Sequence, residues 1–102
     1  MSGLEELTER VRKSVGTDSG INAKIKFDFG ADGKILIDAS SVPNSVTNDD
    51  APADVLLTLS RDNFAKIIDH KLSPKFALMT GRMRLKGDMR IALRLDPVFG
   101  TK

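Results

Sequence analysis

The chain of 102 residues contains no cysteine, tryptophan or tyrosine, and it has a single histidine. Without thiols it can form neither a disulfide framework nor a thiolate metal site, and nothing in it requires an oxidising compartment. No segment approaches the roughly 18 to 20 consecutive apolar residues that a membrane span needs. The acidic start, residues 1–6, lacks the apolar core of a secretory signal. We therefore expect one cytoplasmic domain over residues 1–102, as a monomer or weak dimer.

The residues that carry catalytic or metal chemistry are few and lack a recognisable context. His70 lies between two charged residues, and no nucleophilic serine motif accompanies it, so a Ser-His-Asp triad is not indicated. The stretch 28–39 matches a calcium loop at its first, fifth and sixth positions. However, Gly30 and Ala39 occupy its third and twelfth positions, where oxygen ligands are needed. We predict no catalytic residue, no metal and no cofactor.

The charges are distributed unevenly along the chain. Up to Ser60 there are six basic and ten acidic residues, and from Arg61 onward there are ten basic and four acidic ones. A basic half indicates either a solvated face or an anionic partner such as a phosphate, a nucleic acid or a lipid headgroup. Nucleic acid is disfavoured because the most basic span contains no aromatic stacking residue. That span carries Arg82, Arg84, Lys86, Arg90 and Arg94.

The first half predicts a helix followed by a hairpin. Apolar residues recur at helical spacing over the first fifteen residues, and Gly16 is a suitable end for that helix. From Ile21 to Phe29 apolar and polar residues alternate strictly, as they do in a half-buried strand. The turn Gly30–Gly33 then leads into a second alternation, Ile35–Ala39. This pattern is typical of a β-hairpin.

Further elements follow a polar segment. Residues 40–52 predict a loop, in which residues 42–47 are a candidate edge strand. Residues 53–59 predict another strand, and Ser60 is a suitable cap for the helix that follows. Ser73 and Pro74 predict the start of a short helix that runs to Met79.

The last segments predict a strand and one element of undecided type. Met83 and Leu85 alternate with basic residues, which favours a strand. Residues 89–95 fit both a strand and a helix, although Asp88 is a good helix cap. The order of elements indicates an α+β domain in which helices gather on one face of a mostly antiparallel sheet.

Phenylalanine and methionine concentrate in the second half of the chain. Flexible methionines fill irregular gaps in cores, but they also occur at promiscuous apolar binding surfaces. The cluster therefore fits either an ordinary core or a ligand pocket. Its members are Phe64, Phe76, Met79, Met83, Met89 and Phe99.

Residues from Ala53 to Leu95 resemble the sterol carrier protein 2 (SCP-2) domain family, and the preceding helix and hairpin stand where that family has its own. The ordered pattern comprises the strand 53–60, Phe64, the pair 67–68, the stretch 71–74, Ala77 and the stretch 81–89. His70 departs from it, since the family often has glycine there. The chain also ends in Gly100-Thr101-Lys102 rather than Ser-Lys-Leu, so we expect no peroxisomal import.

The resemblance implies a five-stranded sheet covered on one face by helices and enclosing an apolar tunnel. It also implies a helix over residues 89–95. In such proteins the tunnel takes fatty acids, fatty acyl-CoAs, phospholipids or sterols without catalysing a reaction. Carried onto matching positions, the candidate lining residues are Phe64, Ile68, Leu72, Phe76, Met79, Met83, Leu85, Met89 and Leu93, with Phe27 and Ile37 as the floor.

Two functional hypotheses follow from these observations. The first is a non-enzymatic lipid-binding domain, in which the basic span attracts an anionic headgroup or a membrane surface. The second is an interaction module that uses the basic C-terminal face to bind an acidic protein or a nucleic acid.

Overall fold

The computed structural model describes residues 3–16, 20–40, 42–92 and 94–95. Within these residues it contains four α-helices and five strands. Their order is α1 (Leu4–Val15), β1 (Lys24–Asp28), β2 (Lys34–Asp38), β3 (Ser45–Thr47), β4 (Val55–Leu59), α2 (Arg61–Ile68), α3 (Pro74–Met79), β5 (Met83–Gly87) and α4 (Met89–Ala92). No helix in this part of the chain is long and apolar enough to cross a bilayer.

The five strands form one sheet in the order β3-β2-β1-β4-β5. Neighbouring strands are antiparallel except for β1 and β4, which run parallel. The predicted hairpin is confirmed, with Ile25 opposite Ile37 and Phe27 opposite Ile35. The candidate edge strand is also confirmed, because β3 lies at one edge of the sheet. The fold is therefore the predicted α+β arrangement with a mostly antiparallel sheet.

The two faces of the sheet differ in chemistry. Residues paired across neighbouring strands lie on the same face. One face carries Ile25, Phe27, Leu57 and Met83, which join α1 and α2 in a single hydrophobic core. The other face, which we call the outer sheet face, carries polar residues and a few leucines. Its members include Lys24, Lys26, Asp28, Lys34, Leu36, Asp38, Leu56, Thr58, Arg84 and Lys86.

Helix α1 is held against the β3 edge by polar contacts as well as by its apolar stripe. The Arg12 guanidinium donates to the backbone oxygen of Val46 at 2.6 Å. The buried Thr8 hydroxyl donates to the Leu4 oxygen at 2.7 Å and accepts from Asn48 at 3.0 Å. As predicted, the helix ends at Gly16, which has a φ of 63°.

Helix α2 ends in a motif that requires a left-handed residue. The His70 N–H donates to the Ile67 oxygen at 3.0 Å, and the Lys71 N–H donates to the Lys66 oxygen at 2.8 Å. This hydrogen-bond pair defines a Schellman motif, whose left-handed position glycine usually occupies. His70 adopts a φ of 63° there.

We expect His70→Gly to raise the free energy of unfolding by about 1 kcal/mol, because glycine has no Cβ to oppose a positive φ. Urea denaturation followed by circular dichroism measures the change. His70→Ala serves as the control, since alanine keeps the strain and should not stabilise the protein. An equal gain in both variants would show that the imidazole, rather than the backbone, causes the cost.

The segment of undecided type begins as a helix. Asp88 caps α4, because its Oδ1 accepts from the Arg90 N–H at 2.9 Å. The helix predicted over residues 89–95 is confirmed for Met89–Ala92. Leu93 lies outside the described residues, and the Arg94 N–H closes a turn onto the Ile91 oxygen at 2.9 Å.

Candidate functional site

The helices α3 and α4, which precede and follow the edge strand β5, expose large apolar side chains. Within the described residues, four of the five exposed large apolar side chains lie there. Their exposed fractions are 49% for Phe76, 37% for Leu78, 78% for Met79 and 55% for Met89. We call this surface, together with Lys75, Arg82 and Arg90, the α3–α4 end.

Helix α3 is well capped but rests on the core through one small residue. The Ser73 hydroxyl accepts from the Phe76 N–H at 3.4 Å, and Pro74 begins the helix, as predicted. The helix packs against β5. Ala77 is its only buried residue, so Phe76, Leu78 and Met79 remain partly or largely in water.

Four candidate lining residues lie near the surface of the core. Ile68 and Leu72 are each 8% exposed, Met83 is 2% exposed, and Leu85 is half-buried against the core. An open depression of about 270 Å³ lies where α2 leads into α3. Its lining residues are Ile67, His70, Leu72, Ser73 and Pro74.

Three other candidates are enclosed more deeply. Phe27, Ile37 and Phe64 have no measurable water-accessible surface, so none of them borders a void that would hold a water molecule. The rings of Phe27 and Phe64 pack with centroids 4.8 Å apart, and Phe29 lies 5.1 Å from Phe64. In this structure these side chains are closed core, and a ligand would contact them only after the core opened.

The five basic candidates lie in different surroundings. The Arg82 guanidinium stands 5.6 Å from the centre of the Phe76 ring, and Arg90 adjoins Met89 in α4. Arg84 and Lys86 lie on the outer sheet face, opposite Thr58 and Leu56.

Arg94 is engaged with the backbone, since its guanidinium donates to the Ile21 oxygen at 2.6 Å. Only Arg82 and Arg90 of the predicted cations therefore lie at the α3–α4 end, beside its apolar side chains.

Asp88 is the acidic group of this region. Its carboxylate lies 3.3 Å from the Arg90 guanidinium, and the hydrogen bond from that side chain lowers the pKa of Asp88 from its ordinary value. The carboxylate is therefore ionised at neutral pH. It accepts hydrogen bonds from the Arg90 side chain and from the Arg90 backbone N–H at the start of α4. The described residues contain no group of three His, Cys, Asp or Glu side chains placed to hold a metal ion.

Sequence reasoning missed Leu78 and Lys75. Both lie in α3, where six residues are too few for a periodic pattern to distinguish the outward side from the buried one. Phe76 and Met79, in the same helix, were candidates because the resemblance to the SCP-2 family implies that they are lining residues.

Comparison with known proteins gives extended sequence matches. The model of the SCP-2 sterol transfer family matches residues 4–100. Non-specific lipid-transfer protein-like 1 of Caenorhabditis elegans is 30% identical over 103 residues, covering 92% of this chain and 87% of that protein. Hydroxysteroid dehydrogenase-like protein 2 of Bos taurus is 38% identical over 47 residues, which is 46% of this chain. That match covers only 11% of the bovine protein.

Solved structures show the same fold. Sterol carrier protein 2 like 2 of Aedes aegypti has a TM-score of 0.71 at 19% identity, covering 93% of this chain and 94% of that one. Sterol carrier protein 2 of Yarrowia lipolytica, in its apo form, has a TM-score of 0.63 at 24% identity, covering 93% and 77%. The solved structures show a shared fold, and the sequence matches show more. Because the family model matches residues 4–100 and the nematode protein is 30% identical over most of both chains, this chain belongs to the SCP-2 sterol transfer family.

Proposed function

We propose that this chain is a non-enzymatic carrier that acts in the cytoplasm and binds a lipid at the α3–α4 end. The lipid is a fatty acid, a fatty acyl-CoA, a phospholipid or a sterol-like molecule. The observation that carries the proposal is the group of exposed apolar side chains over a nearly buried apolar floor, in a member of the SCP-2 family. The proposal contains no chemical step, since transfer consists of binding and release.

Burial of apolar surface supplies the affinity. An acyl chain laid along β5 would cover Phe76, Met79 and Met89 and would rest on Met83 and Leu85. Each buried methylene contributes about 0.8 kcal/mol, so a long acyl chain gives useful affinity before ordering costs. The unbranched methionine side chains can adapt to chains of different shape. Deeper insertion, onto Phe27, Ile37 and Phe64, requires the closed core to open.

The headgroup would lie at the edge of this surface. Arg82 and Arg90 are exposed there, and a carboxylate or phosphate beside them gains a charge-assisted hydrogen bond. We propose that the carrier takes up and releases its lipid during transient contact with an anionic membrane. The alternative of an interaction module has no support from the family match.

Native mass spectrometry of the purified protein, followed by titration with fatty acids of several chain lengths, tests the proposal. We expect saturable binding of one lipid per chain, with an affinity that rises with chain length. Ligand at a hundredfold excess over its Kd should stabilise the fold by about 2.7 kcal/mol. Absence of both bound lipid and saturable uptake at every chain length would contradict it.

A further inference from the structure

We infer that the depression between α2 and α3 is a second binding site, which takes a small amphipathic carboxylate. The inference goes beyond the carrier function, because the ligand is a short-chain or aromatic acid rather than a long lipid. Among the residues that the structure describes, none that lines the depression belongs to the α3–α4 end. The polar lining residues are His70 and Ser73, and the apolar ones are Ile67, Leu72 and Pro74.

The size of the depression suits a small ligand with an apolar body. Ile67 and Leu72 are buried, so they give the depression an apolar base, and Pro74 adds an apolar ring to its lining. The volume is about 270 Å³. Since an apolar cavity of about 150 Å³ is large enough for benzene, this volume can hold an aromatic ring or a short alkyl chain together with one polar group.

The two polar side chains offer hydrogen-bond donors to such a ligand. The Ser73 oxygen already accepts from the Phe76 N–H at 3.4 Å, so its O–H group remains to donate. The His70 imidazole carries an N–H donor in either protonation state. An ionised carboxylate only accepts hydrogen bonds, and its two oxygens can take one donor each. The pair of side chains therefore matches a carboxylate.

The charges around the depression also favour an anion. Asp69 is the only acidic residue between residues 63 and 87. Its carboxylate lies 2.6 Å from the Arg10 guanidinium of α1, so this charge is balanced. Exposed lysines in α2, in the turn and in α3 add positive charge, and a carboxylate in the depression gains from their field. These lysines are Lys66, Lys71 and Lys75.

The backbone of His70 gives an independent reason to place a ligand beside its imidazole. His70 holds a φ of 63° in the Schellman motif at the end of α2, where glycine would be less strained. Residues held in such sparsely populated conformations cluster at binding sites. A ligand contact made by the imidazole accounts for histidine at a position that glycine would occupy with less strain.

Titration of the ¹⁵N-labelled full chain with sodium benzoate, followed by NMR at constant ionic strength, tests the inference. We expect saturable shifts of the backbone amides of His70, Leu72 and Ser73, with a Kd on the order of 1 mM for a ligand of this size. Benzamide has the same shape without the charge and should bind at least fivefold more weakly. Absence of saturable shifts at these amides, or equal affinity for the two compounds, would overturn the inference.

Two variants at helix N-caps, with the same change in charge, locate the site. Ser73→Asp keeps a cap for α3 but replaces the hydroxyl donor with a carboxylate that repels benzoate, so the affinity should fall at least tenfold. Ser60→Asp makes the same change at the cap of α2, where the Ser60 hydroxyl accepts from the Asn63 N–H at 3.0 Å. Helix α2 has eight residues and is about 12 Å long, and the depression lies at its other end. The affinity of Ser60→Asp should therefore change less than twofold, and equal effects in the two variants would overturn the inference.

His70→Gly separates a binding role of the imidazole from a structural one. This variant relieves the strain of the left-handed turn and removes the imidazole. It should therefore resist urea better than the wild type and yet bind benzoate at least threefold more weakly. If it binds benzoate as tightly as the wild type, the imidazole does not contact the ligand and the inference is overturned.

Competition with a C16 fatty acid separates the depression from the α3–α4 end. We expect protein that is saturated with this lipid to bind benzoate with unchanged affinity. Displacement of benzoate by one equivalent of the lipid would show that the depression belongs to the lipid site, and would overturn the second site. If benzoate binds as expected while the C16 acid does not bind at all, the second site stands and the carrier function is contradicted.

Discussion

Gly87→Ala is expected to lower the free energy of unfolding by about 3 kcal/mol. Gly87 has a φ of +119°, which L side chains rarely adopt. A Cβ built there would lie 2.3 Å from the backbone oxygen of Asp54 and 3.0 Å from the Cα of Val55. Both contacts are to the backbone next to or in β4, so the end of β5 must move away from it.

The same displacement should disturb the site. The Asp88 N–H donates to the Asp54 oxygen at 3.3 Å, directly before α4 begins. Moving β5 breaks this bond and releases the start of α4, so we expect Gly87→Ala to bind acyl ligands more weakly as well as to unfold more easily. Urea denaturation and ligand titration on the same preparation measure both effects.

Gly30→Ala is the matched control for Gly87→Ala. Gly30 also has a positive φ, +64°, but a Cβ there would meet no atom within 4 Å. Its substitution should therefore cost about 1 kcal/mol, which is the backbone strain alone. If the two variants proved equally stable, the close approach of β5 to β4 at Gly87 would not be the reason for glycine at that position.

Met79→Glu is expected to weaken acyl binding at least tenfold without unfolding the protein. Met79 is 78% exposed, so a charge at this position faces water in the free state. When an acyl chain covers the α3–α4 end, the same carboxylate would be desolvated beside methylene groups, and that penalty opposes binding. Fluorescent fatty-acid titration measures the affinity, and circular dichroism verifies that the fold is unchanged.

Val42→Glu provides the control for the added charge. Val42 is 64% exposed and precedes β3, at the opposite edge of the sheet from β5. The two edge strands are about 19 Å apart, given the usual spacing between neighbouring strands. This variant should bind fatty acid like the wild type. Equal losses in both variants would mean that net charge, rather than the α3–α4 end, governs the affinity.

Local patterns in the sequence were sufficient to predict most of the fold. Strict alternation of apolar and polar residues predicted β1 and the two faces of β5, so the placement of Met83 and Arg84 on opposite faces of the sheet was predictable. The parallel pairing of β1 with β4 was not, because a local pattern specifies neither the partner of a strand nor its direction. The resemblance to SCP-2 proteins supplied the helical assignment of the last segment, and the Asp88 cap explains it physically.

The site was less predictable than the fold. Apolar residues that line a cavity and those that fill a core follow the same periodicity, so Phe64 and Met79 looked alike in the sequence. The structure separates them, since one has no accessible surface and the other is largely exposed. The grouping of Arg82 with Phe76 also depends on the turn between α3 and β5, which sets the direction of each side chain.

Methyl-labelled methionine NMR during a fatty-acid titration tests the central claim most directly, because three of the four methionines lie at or beneath the proposed site. Substitution of each methionine in turn assigns the signals. We predict that the methyl resonances of Met79 and Met89 shift saturably at one equivalent of lipid, and that Met83 shifts with them. If the lipid saturates the protein while Met79 and Met89 do not shift, lipid does not bind at the α3–α4 end.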